Sequence, residues 1–271
     1  MAIPRETTVD IGGVQYVIVS DDAYLEQFRG RFEPEMVRLF RTLINPSDVV
    51  FDVGANIGCT TLLFSELART VYAFEPSATT FALLQQNVAR AERRNVVALN
   101  FALGAEAGET TLTFAPSNRA GGFVSDRTQA SAGHTKEKIS VRRLDDVMAS
   151  ASVGHVDFIK IDVEGFEPHV LHGARQTLER HRPTVVLELN HWCLNAFQRI
   201  TVPDFFDQLR ATFPVLLAVN GPGYLNLHDE GESYAVMYHH ICRMKFPNIV
   251  GAFDEGRLSR FRCLFEHRFS E

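Results

Sequence analysis

The chain has 271 residues, of which 45% are hydrophobic and 22% are charged, and its formal net charge is −6. This composition is typical of a globular protein with one large domain or two small ones, and it excludes a disordered or fibrous chain. The acidic balance argues against a nucleic-acid-binding protein, because such proteins normally carry a basic face.

The cysteines and the apolar runs indicate the cellular compartment in which we expect the protein. Four cysteines are scattered singly without a CxxC pair, which disfavours a zinc cage or a disulfide framework. The first residues lack the pattern of a signal peptide, and the apolar runs are far shorter than the roughly 20 residues that span a bilayer. We therefore expect a cytoplasmic protein with reduced thiols and no membrane span.

Residues 1–47 are predicted to form an N-terminal extension. Residues 9–19 alternate imperfectly around Gly12 and Gly13, which predicts a short hairpin. Residues 33–44 place apolar side chains at helical spacing, and Pro34 suits the first turn of that helix. We expect the hairpin and this lid-like helix to pack on a core domain that spans 48–271.

From residue 49 onward, short apolar runs alternate with helical stretches. The runs predict strands at 49–53, 71–74, 96–101, 156–161, 184–189 and 215–219. The helical stretches are at about 58–68, 77–92, 166–181 and 203–212. Strands that are apolar on both faces and alternate with helices indicate a parallel sheet covered on two sides, and so an α/β fold.

Two regions interrupt this alternation. Residues 110–115 and 138–142 are predicted as an edge pair of strands, joined by a polar loop over 116–135. A loop of about 20 residues is long for a compact domain, which indicates a functional or mobile segment. In the tail we predict a strand over 234–243, and either a basic, aromatic helix or an irregular flap over 256–269.

The most informative segment is the glycine turn that follows the strand at 49–53. Gly54 permits a tight turn, and Gly58 permits a close approach between the helix start and a ligand. Asn56 tolerates left-handed geometry, and the carboxylate of Asp52 can hold an ammonium group. The helix that follows presents free N–H groups, so this turn is predicted to bind a ligand.

Glu75 ends the second predicted strand, 21 residues after Gly54. An acidic group at this spacing in a βαβ unit accepts hydrogen bonds from a ribose diol. The turn has Asn56 where a dinucleotide-binding turn has its second glycine, which disfavours NAD or FAD. The pattern therefore predicts a nucleoside-bearing cofactor of another kind.

Together these motifs resemble the FkbM-type S-adenosylmethionine-dependent methyltransferases. The resemblance covers about residues 28–190, and its main segments are 52–58, 74–76 and 158–167. It implies a class I methyltransferase (Rossmann-like) fold, with a seven-stranded, mostly parallel sheet flanked by helices and one antiparallel strand near the C-terminal end. It also implies S-adenosyl-L-methionine as methyl donor and O-methylation of a sugar, glycolipid or natural product.

The resemblance also implies which residues bind the cofactor. The methionine part is expected to be surrounded by Asp52, Gly54, Asn56 and Gly58, while Glu75 binds the ribose. The adenine is expected to be flanked by Asn100, Phe101 and Ala102. Many class I enzymes carry an acidic residue near the adenine amine, but this chain has Asn100 there.

Catalytic groups are expected beyond the carboxyl ends of the fourth and fifth strands of the sheet. An aliphatic hydroxyl needs a base, or a metal that acidifies it, before it attacks a methyl group. We predict Asp162, which should also lie near the methyl donor, Glu188 and His191 as the catalytic residues, with His191 as the general base because its pKa range suits that task. Glu164 stays open between a site residue and a helix-start charge.

A metal-dependent alternative would use Asp162, Glu188 and Asn190 as oxygen ligands of Mg²⁺. We disfavour it, because a metal-binding pattern would more readily place a second acid beside Asn190 than Leu189. We therefore predict no metal site.

The acceptor is expected to be a small molecule or a glycan, and the chain leaves a homodimer open. Its recognition is expected from Phe32 and Glu33, from the loop over 116–135, and from residues 191–199, where Trp192 could stack on a sugar ring. Two other functions stay open: an N-methyltransferase on the same fold, and a non-catalytic nucleoside-binding regulatory module. A nicotinamide-dependent oxidoreductase is disfavoured by Asn56.

Overall fold

A central sheet of nine strands organises the chain, for which a computed structural model describes residues 4–128, 131–150 and 153–268. The strands of this sheet are, in chain order, β3 (Val49–Val53), β4 (Thr70–Phe74), β5 (Val96–Leu99), β10 (Phe158–Ile161), β11 (Thr184–Glu188), β12 (Val215–Asn220), β13 (Gly223–Asn226), β14 (Asn248–Ala252) and β15 (Glu266–His267). Their spatial order is β15-β13-β12-β14-β11-β10-β3-β4-β5.

The predicted α/β fold is confirmed, because strands β5, β4, β3, β10 and β11 pair in parallel. Strand β14 pairs antiparallel with both β11 and β12, and is the one reversed strand in the seven that run from β5 to β12. This is the class I methyltransferase arrangement. Strands β13 and β15 add two short strands at the far edge, which the seven-stranded prediction did not include.

Helices cover both faces of the sheet, and several begin at residues that cap them. Ser77 accepts a hydrogen bond from Thr80 at the start of α3, and Thr201 with Asp204 forms a capping box at the start of α8. The helices are α1 (Pro34–Leu43), α2 (Cys59–Leu67), α3 (Ala78–Arg90), α4 (Leu144–Ser150), α5 (Glu167–Gly173), α6 (Arg175–His181), α7 (His191–Cys193), α8 (Val202–Thr212), α9 (Glu230–Arg243) and α10 (Ser259–Leu264). Short 3₁₀ turns occupy Tyr24–Phe28 and Glu255–Leu258, and a π turn occupies Leu194–Gln198.

The strand predicted over 234–243 is wrong, because that segment belongs to helix α9. Asp229 caps this helix by accepting a hydrogen bond from the backbone N–H of Glu232. The buried side chains Ser233, Val236 and His240 then follow at helical spacing. The segment over 256–269, left open between helix and flap, contains a 3₁₀ turn, helix α10 and strand β15, while residue 269 lies outside the described residues.

A second sheet of four strands lies between β5 and β10 in the chain. Its strands are β6 (Ala102–Leu103), β7 (Gly108–Ala115), β8 (Asn118–Val124) and β9 (Thr135–Arg142), in the order β6-β9-β7-β8. The predicted pair β7 and β9 is confirmed. The loop predicted over 116–135 is wrong in its first part, where β8 pairs with β7; residues 129 and 130 lie outside the described residues.

The N-terminal extension contains the predicted hairpin and helix. Strands β1 (Arg5–Ile11) and β2 (Val14–Ser20) pair antiparallel, and α1 follows. Apolar side chains of the hairpin and of α1 share one buried cluster with Leu62 and Phe64 of α2. The extension is thus packed on the sheet domain, while the domain boundary at residue 48 stays a prediction. Within the described ranges, every helix is too short or too polar to cross a bilayer.

Candidate active site

The turn between β3 and α2 lies directly against the carboxyl end of β10. Gly54 has φ +79° and Gly58 has φ +100°, values that favour glycine. A Cβ atom at Gly54 would lie 1.9 Å from the backbone carbonyl oxygen of Asp162. Gly54 is therefore required both by the backbone conformation and by the contact with β10, and the turn and the end of β10 form one surface.

Glu75 lies at the carboxyl end of β4, and its carboxylate is held by the backbone. One oxygen accepts a hydrogen bond from the N–H of Asn56 at 3.0 Å, and the other accepts from the N–H of Ser77 at 2.9 Å. Burial raises the pKa of Glu75 to about 7, although both hydrogen bonds lower it. Asn100 supports this position, because its amide donates to the backbone carbonyls of Glu75 and Pro76.

The first of two cavities, with a volume of roughly 660 Å³, opens beside Glu75. The ends of β3, β4 and β10 form one wall, and strands β7 and β8 form the other. Phe101 and Ala102 line it together with Glu75, as predicted for the nucleoside part of a cofactor. Asn100 instead makes its hydrogen bonds with the backbone that carries Glu75.

The second cavity, with a volume of roughly 1200 Å³, lies between the N-terminal extension and the ends of β10 and β11. Tyr24, Phe32 and Glu33 line it from the extension, which matches the expectation for Phe32 and Glu33. Glu188 lines it from the end of β11. Both cavities share a wall, whose residues are Gly54, Asn56, Ala120, Asp162 and Glu164.

Asn56 lies in this shared wall with φ 49°. Its side-chain oxygen Oδ1 is buried and has no hydrogen-bond partner in the part of the chain that the structure describes. A buried carbonyl oxygen without a donor is unfavourable by about 1–3 kcal/mol. The wall therefore offers an acceptor that a ligand with an N–H or O–H group would satisfy.

Three carboxylates meet at this wall, and their oxygens lie within 4.8 Å of one another: Asp162, Glu164 and Glu188. Burial and the neighbouring Asp162 raise the pKa of Glu164 to about 7. Burial and three nearby carboxylates, of which Asp162 is the strongest, raise the pKa of Glu188 well above its usual value. The structure thus brings together two of the three predicted catalytic residues.

The cluster has the oxygen ligands that a divalent cation would use, and Asn190 lies next to it. Asn190 caps helix α7 through its side-chain oxygen, and its amide nitrogen donates to Glu164 at 3.3 Å. Cys193 also donates to Glu164, through its thiol at 3.1 Å. Glu164 is thus a third carboxylate beside Asp162 and Glu188, and the expected absence of a metal stays a prediction.

Asp52 lies beneath the turn and is fully buried. Its oxygen Oδ2 accepts hydrogen bonds from the hydroxyls of Thr60 at 2.8 Å and Thr61 at 2.6 Å. Its other oxygen lies 3.4 Å from the ammonium of Lys160. The carboxylate thus joins α2 to β10, and the predicted contact of Asp52 with a ligand stays a prediction.

The third predicted catalytic residue, His191, lies elsewhere. Its ring packs edge-on against His240 of α9, with ring centroids 5.1 Å apart. Its Nδ1 atom is buried and unpaired among the described residues, and burial lowers the pKa of His191. The residues that line the two cavities do not include it. Trp192, which follows it, is 60% exposed and contacts Phe197.

Sequence reasoning expected residues 116–135 to contact the acceptor, but it missed that part of them forms strand β8. Ala120 lies in the shared wall, and Arg119 lines the first cavity. The guanidinium of Arg119 makes a bidentate ion pair with Asp21, both contacts at 2.6 Å, and thereby joins β8 to the N-terminal extension above the site. Neither Arg119 nor Asp21 belongs to a sequence motif, so the ion pair between β8 and the N-terminal extension can be seen only in the folded chain.

Known proteins match the part of the chain that forms this site. A family profile described as "Methyltransferase FkbM domain" matches residues 52–220. The chain is 36% identical over 160 residues to the 31-O-demethyl-FK506 methyltransferase FkbM of Streptomyces tacrolimicus, a match that covers 48% of this chain and 61% of that protein. It is 33% identical over 149 residues to the hexuronic acid methyltransferase AglP of Haloferax volcanii, which covers 55% of this chain and 59% of that protein.

The chain thus spans about three fifths of the length of these curated relatives. Among solved structures, it is similar to the methyltransferase FkbM of Methylobacillus flagellatus KT, with 21% identity and a TM-score of 0.40. That match covers 58% of this chain and 40% of that one.

Proposed function

This chain belongs to the FkbM methyltransferase family, as its motifs predicted, and on that premise we propose that it is an S-adenosylmethionine-dependent O-methyltransferase. The acceptor is a hydroxyl group on a sugar, a glycolipid or a natural product. The observation that carries this proposal is the shared wall, where a cavity fit for a nucleoside meets a second cavity lined by carboxylates.

The residues at the first cavity fit S-adenosylmethionine. The carboxylate of Glu75 can accept hydrogen bonds from the ribose diol, while Phe101 and Ala102 flank the base. The unpaired Oδ1 of Asn56 can accept a hydrogen bond from the ammonium of the methionine part. Gly54 keeps the turn free of a side chain at that point. When bound, the cofactor supplies an electrophilic methyl group on its sulfonium.

Glu188 is the proposed general base. Its oxygen Oε2 is buried and has no hydrogen-bond donor within the described ranges, and the side chain lines the second cavity. Because this oxygen is unpaired among the described residues, the ionised carboxylate of Glu188 can take the proton of the acceptor hydroxyl as the oxygen attacks. Asp162, in the shared wall, would orient that hydroxyl.

The second cavity suits an acceptor that is rich in hydroxyl groups. Carboxylates of Glu33 and Glu188 can accept hydrogen bonds from it, while Tyr24 offers an aromatic ring. Two relatives are named for hydroxyl-bearing substrates, a demethylated FK506 and a hexuronic acid, and this supports the same class here.

We propose no resident metal. The ammonium of Lys160 lies 3.3 Å from Asp162 and already supplies a positive charge to the carboxylate cluster. Turnover should therefore be unchanged by EDTA. Loss of turnover with EDTA and its recovery with Mg²⁺ would reassign the cluster of Asp162, Glu164 and Glu188 to a metal.

The test is transfer of a tritiated methyl group from S-adenosylmethionine into fractionated cell extract, followed by mass spectrometry of the labelled product. A methyl ether in the product supports the proposal. A methylated nitrogen would favour an N-methyltransferase, and cofactor binding without transfer to any fraction would favour a regulatory binding module. Absence of calorimetric binding of S-adenosylhomocysteine would refute the cofactor assignment itself.

A further inference from the structure

Lys160 is a buried lysine in the middle of the central sheet. It lies on β10 directly opposite Asp52 of β3 in the strand register, and it is only 4% exposed. A lysine at such a position is unfavourable unless its ammonium is fully paired. The remaining residues of its strand, Phe158, Ile159 and Ile161, are apolar and buried, so Lys160 is the one polar side chain of β10.

The ammonium of Lys160 contacts three acceptors on two strands and the turn. It donates a hydrogen bond to the backbone carbonyl of Gly54 at 2.8 Å. It also lies 3.4 Å from Asp52 and 3.3 Å from Asp162. An ammonium has three donors, and these three groups account for them.

The two carboxylates that contact Lys160 differ in how exposed they are to the cavities. Asp52 is fully buried and is fixed to α2 by the hydroxyls of Thr60 and Thr61. The side chain of Asp162 is 40% exposed and lies in the shared wall. Lys160 therefore connects a buried carboxylate to two groups of the shared wall, the carbonyl of Gly54 and the carboxylate of Asp162.

The carboxylates around Lys160 keep its side chain charged. Burial lowers the pKa of Lys160, but the carboxylates of Asp162 and Asp52 raise it by more, so that the net pKa lies above its usual value. The side chain is thus an ammonium at neutral pH. A neutral side chain there would leave the Asp52 carboxylate buried without a counter-charge, which is strongly destabilising.

We propose that Lys160 is a positioning residue for the cofactor, which holds the carbonyl of Gly54 and the carboxylate of Asp162 in the places where the shared wall needs them. This inference rests on the proposed function, in which the Gly54 turn binds the methionine part of S-adenosylmethionine. Lys160 also lines the second cavity, beside the proposed acceptor. It acts through the turn and through Asp162.

A single substitution of Lys160 could prevent folding, so the test uses a paired variant. Asp52→Asn removes the buried carboxylate that would lose its partner, and serves as the reference. Asp52→Asn/Lys160→Met then removes the ammonium from a neutral background. The measurements are the dissociation constant of S-adenosylhomocysteine by calorimetry, the KM values of cofactor and acceptor, and the melting temperature.

Relative to Asp52→Asn, the double variant is expected to raise the dissociation constant and the cofactor KM at least tenfold. The acceptor KM should rise as well, because Lys160 also holds Asp162, which orients the acceptor hydroxyl. A purely structural role would lower the melting temperature but leave these constants within twofold, and that result would overturn the inference. If the double variant melts below the assay temperature, Asp52→Asn/Lys160→Gln replaces it and must show the same loss.

These measurements distinguish a failure of the proposed function from a failure of this inference. Wild-type protein that does not bind S-adenosylhomocysteine would overturn the proposed function and this inference with it. Wild-type binding together with unchanged binding in the double variant would overturn the inference alone.

Discussion

Substituting Glu75 by glutamine tests the cofactor site most directly. Both oxygens of Glu75 accept hydrogen bonds from backbone N–H groups, those of Asn56 and Ser77. A glutamine places an NH₂ group in front of one of these N–H groups in either orientation of its amide. The variant therefore loses one backbone contact as well as the charge that a ribose diol would bind.

The magnitude follows from the hydrogen bonds lost. A hydrogen bond to a charged group contributes about 1.5–3 kcal/mol, which corresponds to a dissociation constant that is about 10 to 150 times higher. Glu75→Gln should raise the dissociation constant of S-adenosylhomocysteine by that factor. Titration calorimetry measures it, and Glu109→Gln, which changes an exposed glutamate of β7, is the matched control.

The pH dependence of the same measurement gives a second check. The pKa of Glu75 is raised to about 7, so the carboxylate loses its charge as the pH falls below that value. If the ionised form is the one that binds the diol, affinity falls about tenfold from pH 8 to pH 6. This pH dependence should be absent in Glu75→Gln. A wild-type affinity for S-adenosylhomocysteine in Glu75→Gln would refute the reasoning.

Three further predictions follow from the site and its surroundings. Glu188→Gln should lower kcat by about 10²- to 10⁴-fold with unchanged binding of S-adenosylhomocysteine, as expected for a general base; a larger loss in His191→Ala would return that role to His191. Gly54→Ala should destabilise the fold far more than Gly30→Ala in urea unfolding, because both have positive φ but only at Gly54 would the new Cβ meet a backbone carbonyl. Burial raises the pKa of Glu167 to about 8, so the native state binds the proton more tightly than the unfolded state, and stability should fall as the pH rises from about 4.5 to 8. Glu167→Gln should flatten that fall in denaturant titrations, and an unchanged slope would contradict the assignment.

The parts of the fold that the sequence predicts are those governed by local pattern. The buried strands around the Gly54 turn, and the acidic residue 21 positions later, follow from apolar runs and from spacing, and both hold in the structure. Helix α9 resembles a strand in the sequence because residues 234–238 are a continuous apolar and aromatic run, and only its cap at Asp229 and its burial pattern reveal the helix.

The parts that the sequence does not predict depend on long-range contacts. Lys160 lies in a motif segment, but its contacts with Gly54 and Asp52 join residues more than 100 positions apart in the chain, which the local pattern does not reveal. The position of His191 was equally hidden, because its packing against His240 depends on where helix α9 docks. Local pattern therefore identifies the cofactor site better than the catalytic groups.

The shared wall between the two cavities also suggests how the proposed methyl transfer could be inhibited. A compound that joins a nucleoside to a mimic of the acceptor could occupy both chambers at once, with its linker passing beside Ala120. Tethering the two halves gives the second half a high effective concentration once the first is bound, so that such a bisubstrate ligand should bind far more tightly than either half alone.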